Sequence, residues 1–409
     1  MRRINFLGYL AMPLALLVHF WLGHDANGAT KPWEPTLTFI LSGIAIIPLA
    51  WLMGEATENL AEKTGPTWGG LLNATFGNAA ELIIGIVAIS KGLNDVAKAS
   101  LAGSILGNLL LVSGAAMLVG GWRRERQTFS RATAEANAGL LTVAVTALLL
   151  PAIFHYTYAH LDPHLVEHEN GMSTGASIVL LAVYALGLLF TLRTHRHIFS
   201  PAPARTPEDP AGISALGGGG WSVRKSIITL VIASVVTAIF SELLVGSVEQ
   251  TAHHLGWNKV FVGVIVLAII GNAAEHSTAV MLARRNDMDT AMAITYQSSL
   301  QIALFVTPFL VLLSTAFVAF GMKGAHRMDL IFTPLEVVGV YLSVTIVVVI
   351  GRNGETNWFE GVLLLAVYAI LAITFFYIPS ARLDGYDTGD PARARNEPGG
   401  LQHSGSAAL

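Results

Sequence analysis

Apolar residues in this chain gather into long runs separated by short polar stretches. A bilayer core needs about 20 mostly apolar residues in helical form. Eleven stretches reach that length, at roughly 4–22, 37–60, 67–89, 97–119, 133–153, 174–192, 225–248, 259–283, 290–320, 329–350 and 358–378. Gly, Pro or Glu interrupts several of them, so their ends are soft. The pattern predicts an all-α polytopic membrane protein. The first stretch admits two readings. Met1-Arg2-Arg3, the apolar run to Leu22 and the small residues Ala26-Asn27-Gly28-Ala29 have the layout of a signal peptide with a cleavage site. The run is longer than the roughly 7–15 residues of a usual signal core, which favours an uncleaved first spanning helix.

The runs are not independent. A shift of 194 residues lays one half of the chain on the other without a gap. Glu55 falls on Glu249, Thr57 on Thr251, Gly69 on Gly263, Asp95 on Asp289, Ser104 on Ser298 and Leu106 on Leu300. The pentapeptide Gly77-Asn78-Ala79-Ala80-Glu81 falls on Gly271-Asn272-Ala273-Ala274-Glu275. The expected organisation is an N-terminal helix with its outer loop (1–36), a first five-helix repeat (37–192), a Pro/Gly-rich linker (193–223), a second repeat (224–378) and a polar tail (379–409). Five is odd, so the second repeat enters the membrane from the opposite side. Such inverted repeats are related by an axis in the membrane plane, and that axis brings equivalent residues together near the midplane. Glu81 and Glu275 are expected to face each other there.

Charge sets the orientation. With the N-terminus inside and the spans alternating, fifteen of the 24 Lys and Arg residues fall inside, which is the bias cytoplasmic loops show. Composition agrees with lipid cover: 53% of residues are hydrophobic and 12% charged, against about 25% charged in soluble domains. The absence of cysteine excludes disulfides and thiolate metal sites, and no basic run points to nucleic acid. A cysteine-free chain of this length with small termini fits a multi-pass protein of a bacterial plasma membrane. The loop at 154–173 carries His155, His160, Asp162, His164, Glu167, His168 and Glu169. It reads first as a solvated loop, and second as a peripheral metal patch.

The two motif glutamates carry the chemistry. A charge at the centre of a spanning helix costs about 2.5–3.5 kcal/mol, and neither Glu81 nor Glu275 has an obvious Lys or Arg at similar depth. Gly weakens a helix and Asn competes for its backbone bonds, so each motif is expected to break its helix and free carbonyl oxygens into a cavity. With side-chain oxygens from Asn78 and Asn272, the set is hard. It suits Ca²⁺ with its six to eight oxygens and disfavours copper and zinc. The following helices add Ser100, Ser104 and Asn108 in one half and Gln297, Ser298, Ser299 and Gln301 in the other, as packing groups or site lining. Glu55, Glu58 and Glu62 share a helix face. Glu62 fits a solvated end, whereas Glu55, Glu58, Glu242 and Glu249 are expected along access paths. His276, on another side of its helix from Glu275, is expected near the site or on a proton path.

Two ionised carboxylates carry −2 in a low-dielectric place, and one Ca²⁺ or two protons neutralise them. If only neutral forms reorient, the ions are exchanged. The segments GNAAELIIGIVAISKG and GNAAEHSTAVMLA resemble the signature segments of the cation/proton exchangers, the calcium/proton antiporter branch of the calcium/cation antiporter superfamily. GGLLNATFGNAAELI, ASLAGSILGNLLLVSG, SELLVGSVE and SSLQIALFV resemble that branch too, over roughly 37–120 and 225–320. The resemblance implies Ca²⁺ or another cation moving against protons by alternating access, with Glu81 and Glu275 as the shared carboxylates and no cofactor. It departs from the family in the linker, where Glu208 and Asp209 are the only acids, against the acidic cytoplasmic helix of many members. A Na⁺ or K⁺/proton antiporter is the alternative within transport, since oxygen ligands suit those ions as well. A channel needs rings of charge around a continuous pore. A membrane metallohydrolase needs spacing such as H-E-x-x-H, and the spans contain none.

Overall fold

The computed structural model describes residues 2–24, 29–64, 66–195, 220–322 and 324–379. Most of the expected linker, all but the first residue of the tail and residues 25–28 of the candidate cleavage segment lie outside them. The described secondary structure is helical apart from a bridge between His24 and Thr30 and one antiparallel pairing of β1 (Gln127–Thr128) with β2 (Glu355–Thr356).

In chain order the helices are α1 (Phe6–Leu22), α2 (Glu34–Thr64), α3 (Pro66–Phe76), α4 (Ala79–Ser90), α5 (Asn94–Gly121), α6 (Arg131–Tyr158) and α7 (Leu165–Thr194). The second half holds α8 (Val223–Gly246), α9 (Val248–Leu255), α10 (Lys259–Gly271), α11 (Ala273–Arg284), α12 (Met288–Ala319), α13 (Pro334–Gly351) and α14 (Trp358–Phe376). Among the described residues, eight helices are long and apolar enough to cross a membrane, and nine if α9 and α10, bent by 116°, form one span. The sequence predicts eleven. The shortfall has a local cause: α1 is short, and each motif-bearing stretch is divided where Asn78 and Asn272 leave helical geometry, at φ −111°, ψ 40° and φ −91°, ψ 12°.

The repeat survives in the element boundaries. Helix α11 is α4 displaced by 194 residues at both ends, and α12 begins 194 residues after α5. Each of these longer helices widens into a π-helical turn at the same place, Gly107–Val112 and Ile302–Val306. A hydroxyl then reaches back five residues in both: Ser113 Oγ donates to Asn108 O at 3.1 Å and Thr307 Oγ1 to Ile302 O at 2.8 Å. Such widenings favour functional sites, and these lie directly after Ser104 and Ser298.

Helix ends collect on two sides. On one, Arg124 donates to Arg284 O, Gln127 to Ala283 O, Ser130 N to Asp289 Oδ1 and Phe129 N to Gly354 O. On the other, Lys91 pairs with Glu242, Lys98 with Asp329, and Leu330 N donates to Ser173 Oγ. The first side carries Arg123, Arg124, Arg126, Arg131, Arg284, Arg285 and Arg352 and is the inner side by the positive-inside preference.

Side chains pack into two main bodies. The larger runs through α4–α7 and α10–α14, with Leu106, Leu109, Leu141, Leu304 and Leu310 at its centre. The smaller joins α1, α2, α8 and α9 through Ala11, Ala15, Phe39, Ile46, Phe240 and Leu244. Between lipid-immersed helices such packing relies on close fit, which small residues allow. Helices α5 and α10 show it: a Cβ built at Gly103 would lie 2.0 Å from Val264 O, and one at Gly263 would lie 2.4 Å from Ala99 Cβ. Gly103→Ala therefore has to push backbone apart. It is expected to cost about 1–3 kcal/mol, read as a lowered midpoint of thermal unfolding in detergent; an unchanged midpoint would contradict the close crossing.

Candidate cation site

Both motifs place their glutamate in the first turn of a helix that begins inside the protein. Glu81 is the third residue of α4 and Glu275 the third of α11. The free N–H groups of a helix start favour negative charge, so each break gives its carboxylate a supportive end. The breaks do not supply the free carbonyls expected of them at the four positions bonded across the gap. Asn73 O, Asn78 O, Ala268 O and Asn272 O accept from Gly77 N, Leu82 N, Asn272 N and His276 N.

The two asparagines tie the halves together. Asn78 Nδ2 donates to Gln301 Oε1, and its Oδ1 accepts from Ser298 Oγ at 2.7 Å. Asn272 Nδ2 donates to Ser104 Oγ at 2.8 Å and to Ala268 O at 2.9 Å. The Asn78–Ser298 and Asn272–Ser104 bonds are repeat equivalents. Asn108 adds an asymmetric link, its Nδ2 donating to Asn272 Oδ1 and to Ser298 Oγ, both at 2.9 Å. The amide orientations follow from the partners. Ala268 O can only accept, so it takes the Asn272 nitrogen; the Asn272 oxygen then meets the nitrogen of Asn108. Asn78 and Asn272 thus spend their oxygens on bonds across the interface, where the sequence predicts oxygens free for a cation.

What remains unpaired is oxygen. Glu81 Oε1, Glu275 Oε2 and Asn108 Oδ1 are buried with no hydrogen-bond partner. Glu81 is 5% exposed and Asn108 fully buried. The halves meet at the carboxylates: a Cβ built at Gly271 would lie 3.2 Å from Glu81 Oε1, and Glu81 is close enough to Glu275 for their charges to repel. His276 Nε2 is also buried without a partner, 3.9 Å from a Cβ built at Gly107. Buried polar groups are rarely left unmatched, which makes these four atoms a candidate site. Among the described residues no group of three or more His, Cys, Asp or Glu could hold a metal ion; any cation here leans on the two carboxylates and amide oxygen.

The halves differ in access. Ala80, Ile84 and Val87 form a buried stripe on α4, whereas their equivalents Ala274, Thr278 and Met281 on α11 are partly exposed. Gln297, expected in the site lining, is exposed and takes no part in the asparagine network, while its equivalent Gly103 is packed on Val264. The outward-running helix α4 is thus more tightly covered along this stripe than its inward-running equivalent α11. Glu55 and Glu58 are partly buried and Glu62 exposed on the inner half of α2. Glu242 and Glu249 are ion-paired at the outer ends, to Lys91 at 2.6 Å and Lys259 at 2.7 Å. Glu242 is shallower than expected because α8 ends four residues later at Gly246. Ser100 is buried, and Ser299 Oγ donates to Thr295 O within its own helix.

In the outer loop, His155 pairs with Glu169 at 2.6 Å and His168 with Asp162 at 2.7 Å. The His168 bond, with His164 N, holds the Asp162 carboxyl below its ordinary range. Two separate pairs make no metal patch. Ser113 and Thr295, which nothing in their local sequence marks, bond at 3.0 Å beneath Asn108. Ser113 and Thr307 are repeat equivalents, so the shift of 194 could have exposed the first of them.

A family model described as "Sodium/calcium exchanger protein" matches residues 34–193 and 225–377. The chain is 42% identical over 380 residues to a "Ca(2+)/H(+) antiporter" of Synechocystis sp., covering 90% of this chain and 95% of the relative. It is 41% identical over 352 residues to "Ca(2+)/H(+) antiporter ChaA" of Bacillus subtilis, covering 86% and 95%. Among solved structures, native YfkE superposes with TM-score 0.74 at 36% identity, covering 92% of this chain and 99% of that one. The H⁺/Ca²⁺ exchanger CAX superposes with TM-score 0.64 at 14% identity and 94% coverage of both chains, a likeness of fold.

A double-mutant cycle tests the asparagine bridge. Asn108→Ala and Asn272→Ala, 164 residues apart, are expected to couple by about 0.6 kcal/mol or more in unfolding free energy. Additivity within about 0.3 kcal/mol would dissolve the network.

Proposed function

The chain belongs to the sodium/calcium exchanger protein family, and on that premise we propose that it exchanges Ca²⁺ for H⁺ across a bacterial plasma membrane, extruding calcium. The observation that carries the reading is the pair of motif carboxylates, brought together from opposite halves with buried oxygens that no protein donor meets. A hard divalent ion suits carboxylate and amide oxygens, and Asn108 Oδ1 extends the set. No salt bridge reaches Glu81 or Glu275 among the described residues, so the pair depends on what it binds for neutrality. One Ca²⁺ supplies +2, and two protons supply the same. Glu81 and Glu275 hold either load, and the asparagine–serine network keeps both motif helices in register while the load changes. His276, beside Glu275 with a free ring nitrogen, is positioned to pass protons.

Access alternates in this reading. The inner pathway is open along α11 and the outer is closed along α4. Exchange of these two packings between the repeats yields the opposite state, as in other inverted-repeat transporters. Reorientation with the pair ionised and empty would drag two charges through a low-dielectric barrier, so that step is disfavoured and exchange is obligatory.

Everted vesicles with an imposed pH gradient provide the test. Addition of Ca²⁺ is expected to collapse the gradient, with Na⁺ and K⁺ as comparison arms. A collapse by Na⁺ or K⁺ without one by Ca²⁺ would move the reading to a monovalent antiporter. Glu81→Gln and Glu275→Gln are each expected to abolish the response, since one carboxylate cannot neutralise Ca²⁺. Full exchange in either variant would contradict the shared pair.

A further inference from the structure

Two ion pairs join the two packing bodies among the described residues: Lys259–Glu249 links the consecutive helices α9 and α10, and Lys91–Glu242 links helices far apart in the chain. Lys91 follows the last residue of α4, whose Ile84 and Val87 belong to the larger body. Glu242 lies in the last turn of α8, whose Phe240 and Leu244 belong to the smaller. Lys91 Nζ and the Glu242 carboxylate are 2.6 Å apart, with side chains 31% and 57% exposed. Lys91 also lies over the end of α8, 3.3 Å from a Cβ built at Gly246, where a cation is favoured by the helix dipole.

The pair stands at the outer end of the buried stripe Ala80, Ile84 and Val87, which Lys91 continues at helical spacing. Repeat symmetry sharpens its meaning. The equivalents of Lys91 and Glu242 are Arg285 and Pro48. When the halves exchange packings, Arg285 and Pro48 take the equivalent places, and the strict counterpart of this pair cannot form. We propose that Lys91–Glu242 is an outer latch: it holds the outer mouth shut and biases the protein toward the inward-open form, with no symmetry-equivalent pair inside. This rests on the alternating-access reading above. Opening the outer mouth separates Lys91 from Glu242 and leaves the Glu242 carboxylate free at the entrance.

The chain has no cysteine, so a single introduced thiol reports alone. Val87→Cys places it under the latch, and Met281→Cys places it at the equivalent inner position. In right-side-out vesicles a membrane-impermeant maleimide is expected to label Val87→Cys slowly. Adding Lys91→Ala or Glu242→Ala is expected to raise the rate about two- to five-fold, the range an exposed ion pair supports. The exchanged pair, Lys91→Glu with Glu242→Lys, is expected to return it. Labelling of Met281→Cys in inverted vesicles falls in the single variants. An unchanged Val87→Cys rate in either single variant, or an exchanged pair that labels as fast as the singles, overturns the latch. Labelling reads conformation without a transported ion, so a failure of Ca²⁺/H⁺ exchange would leave this result standing by itself.

Discussion

Two neighbouring carboxylates, Glu81 buried and Glu275 half-buried, set the terms for the rest of this protein. Water would solvate Glu81 and Glu275 cheaply; the interior of a membrane protein does not. The fold spends its internal symmetry on making that arrangement possible. Each repeat breaks a helix at an asparagine and starts a new one whose first turn carries the glutamate. The inverted relation then lays the two starts together, with Glu81 against Gly271 of the other motif. Glycine at that position leaves room for the carboxylate, and helix N-termini temper its charge.

Around the pair, asparagine and serine work as structural ties more than as ligands. Bonds from Asn78 to Ser298 and from Asn272 to Ser104 repeat across the axis, and Asn108 and Gln301 break the symmetry with links that their equivalents Ile302 and Gly107 cannot make. The asymmetry extends outward. Toward the outer side Gly103 packs on Val264 and Lys91 pairs with Glu242, while toward the inner side Gln297 and part of the face of α11 are exposed. Two similar halves thus pack differently around one place, as the proposed alternation of access requires.

Much of this was legible in the residues. The shift of 194 set Glu81 and Glu275 at equivalent positions, and each stands third in its helix. A gapless repeat constrains helix ends directly. The fate of the asparagine oxygens was not legible. A buried amide in one sequence position accepts or donates according to partners 164 to 223 residues away, and no local pattern names them. The depth of Glu242 was misjudged because apolar composition does not reveal where α8 stops. The count of spans exceeded the continuous helices because hydropathy runs straight through Gly77-Asn78 and Asn272, where the backbone does not.

Proton release on Ca²⁺ binding reads whether one site with two carboxylates serves both ions. With the purified protein in weakly buffered detergent, at a pH where the empty pair is protonated, titrated Ca²⁺ is expected to bind one ion per chain and release about two protons. Glu81→Gln and Glu275→Gln are each expected to lose binding altogether. Two independent binding events, or single variants that still bind Ca²⁺ and release one proton, would contradict a shared site.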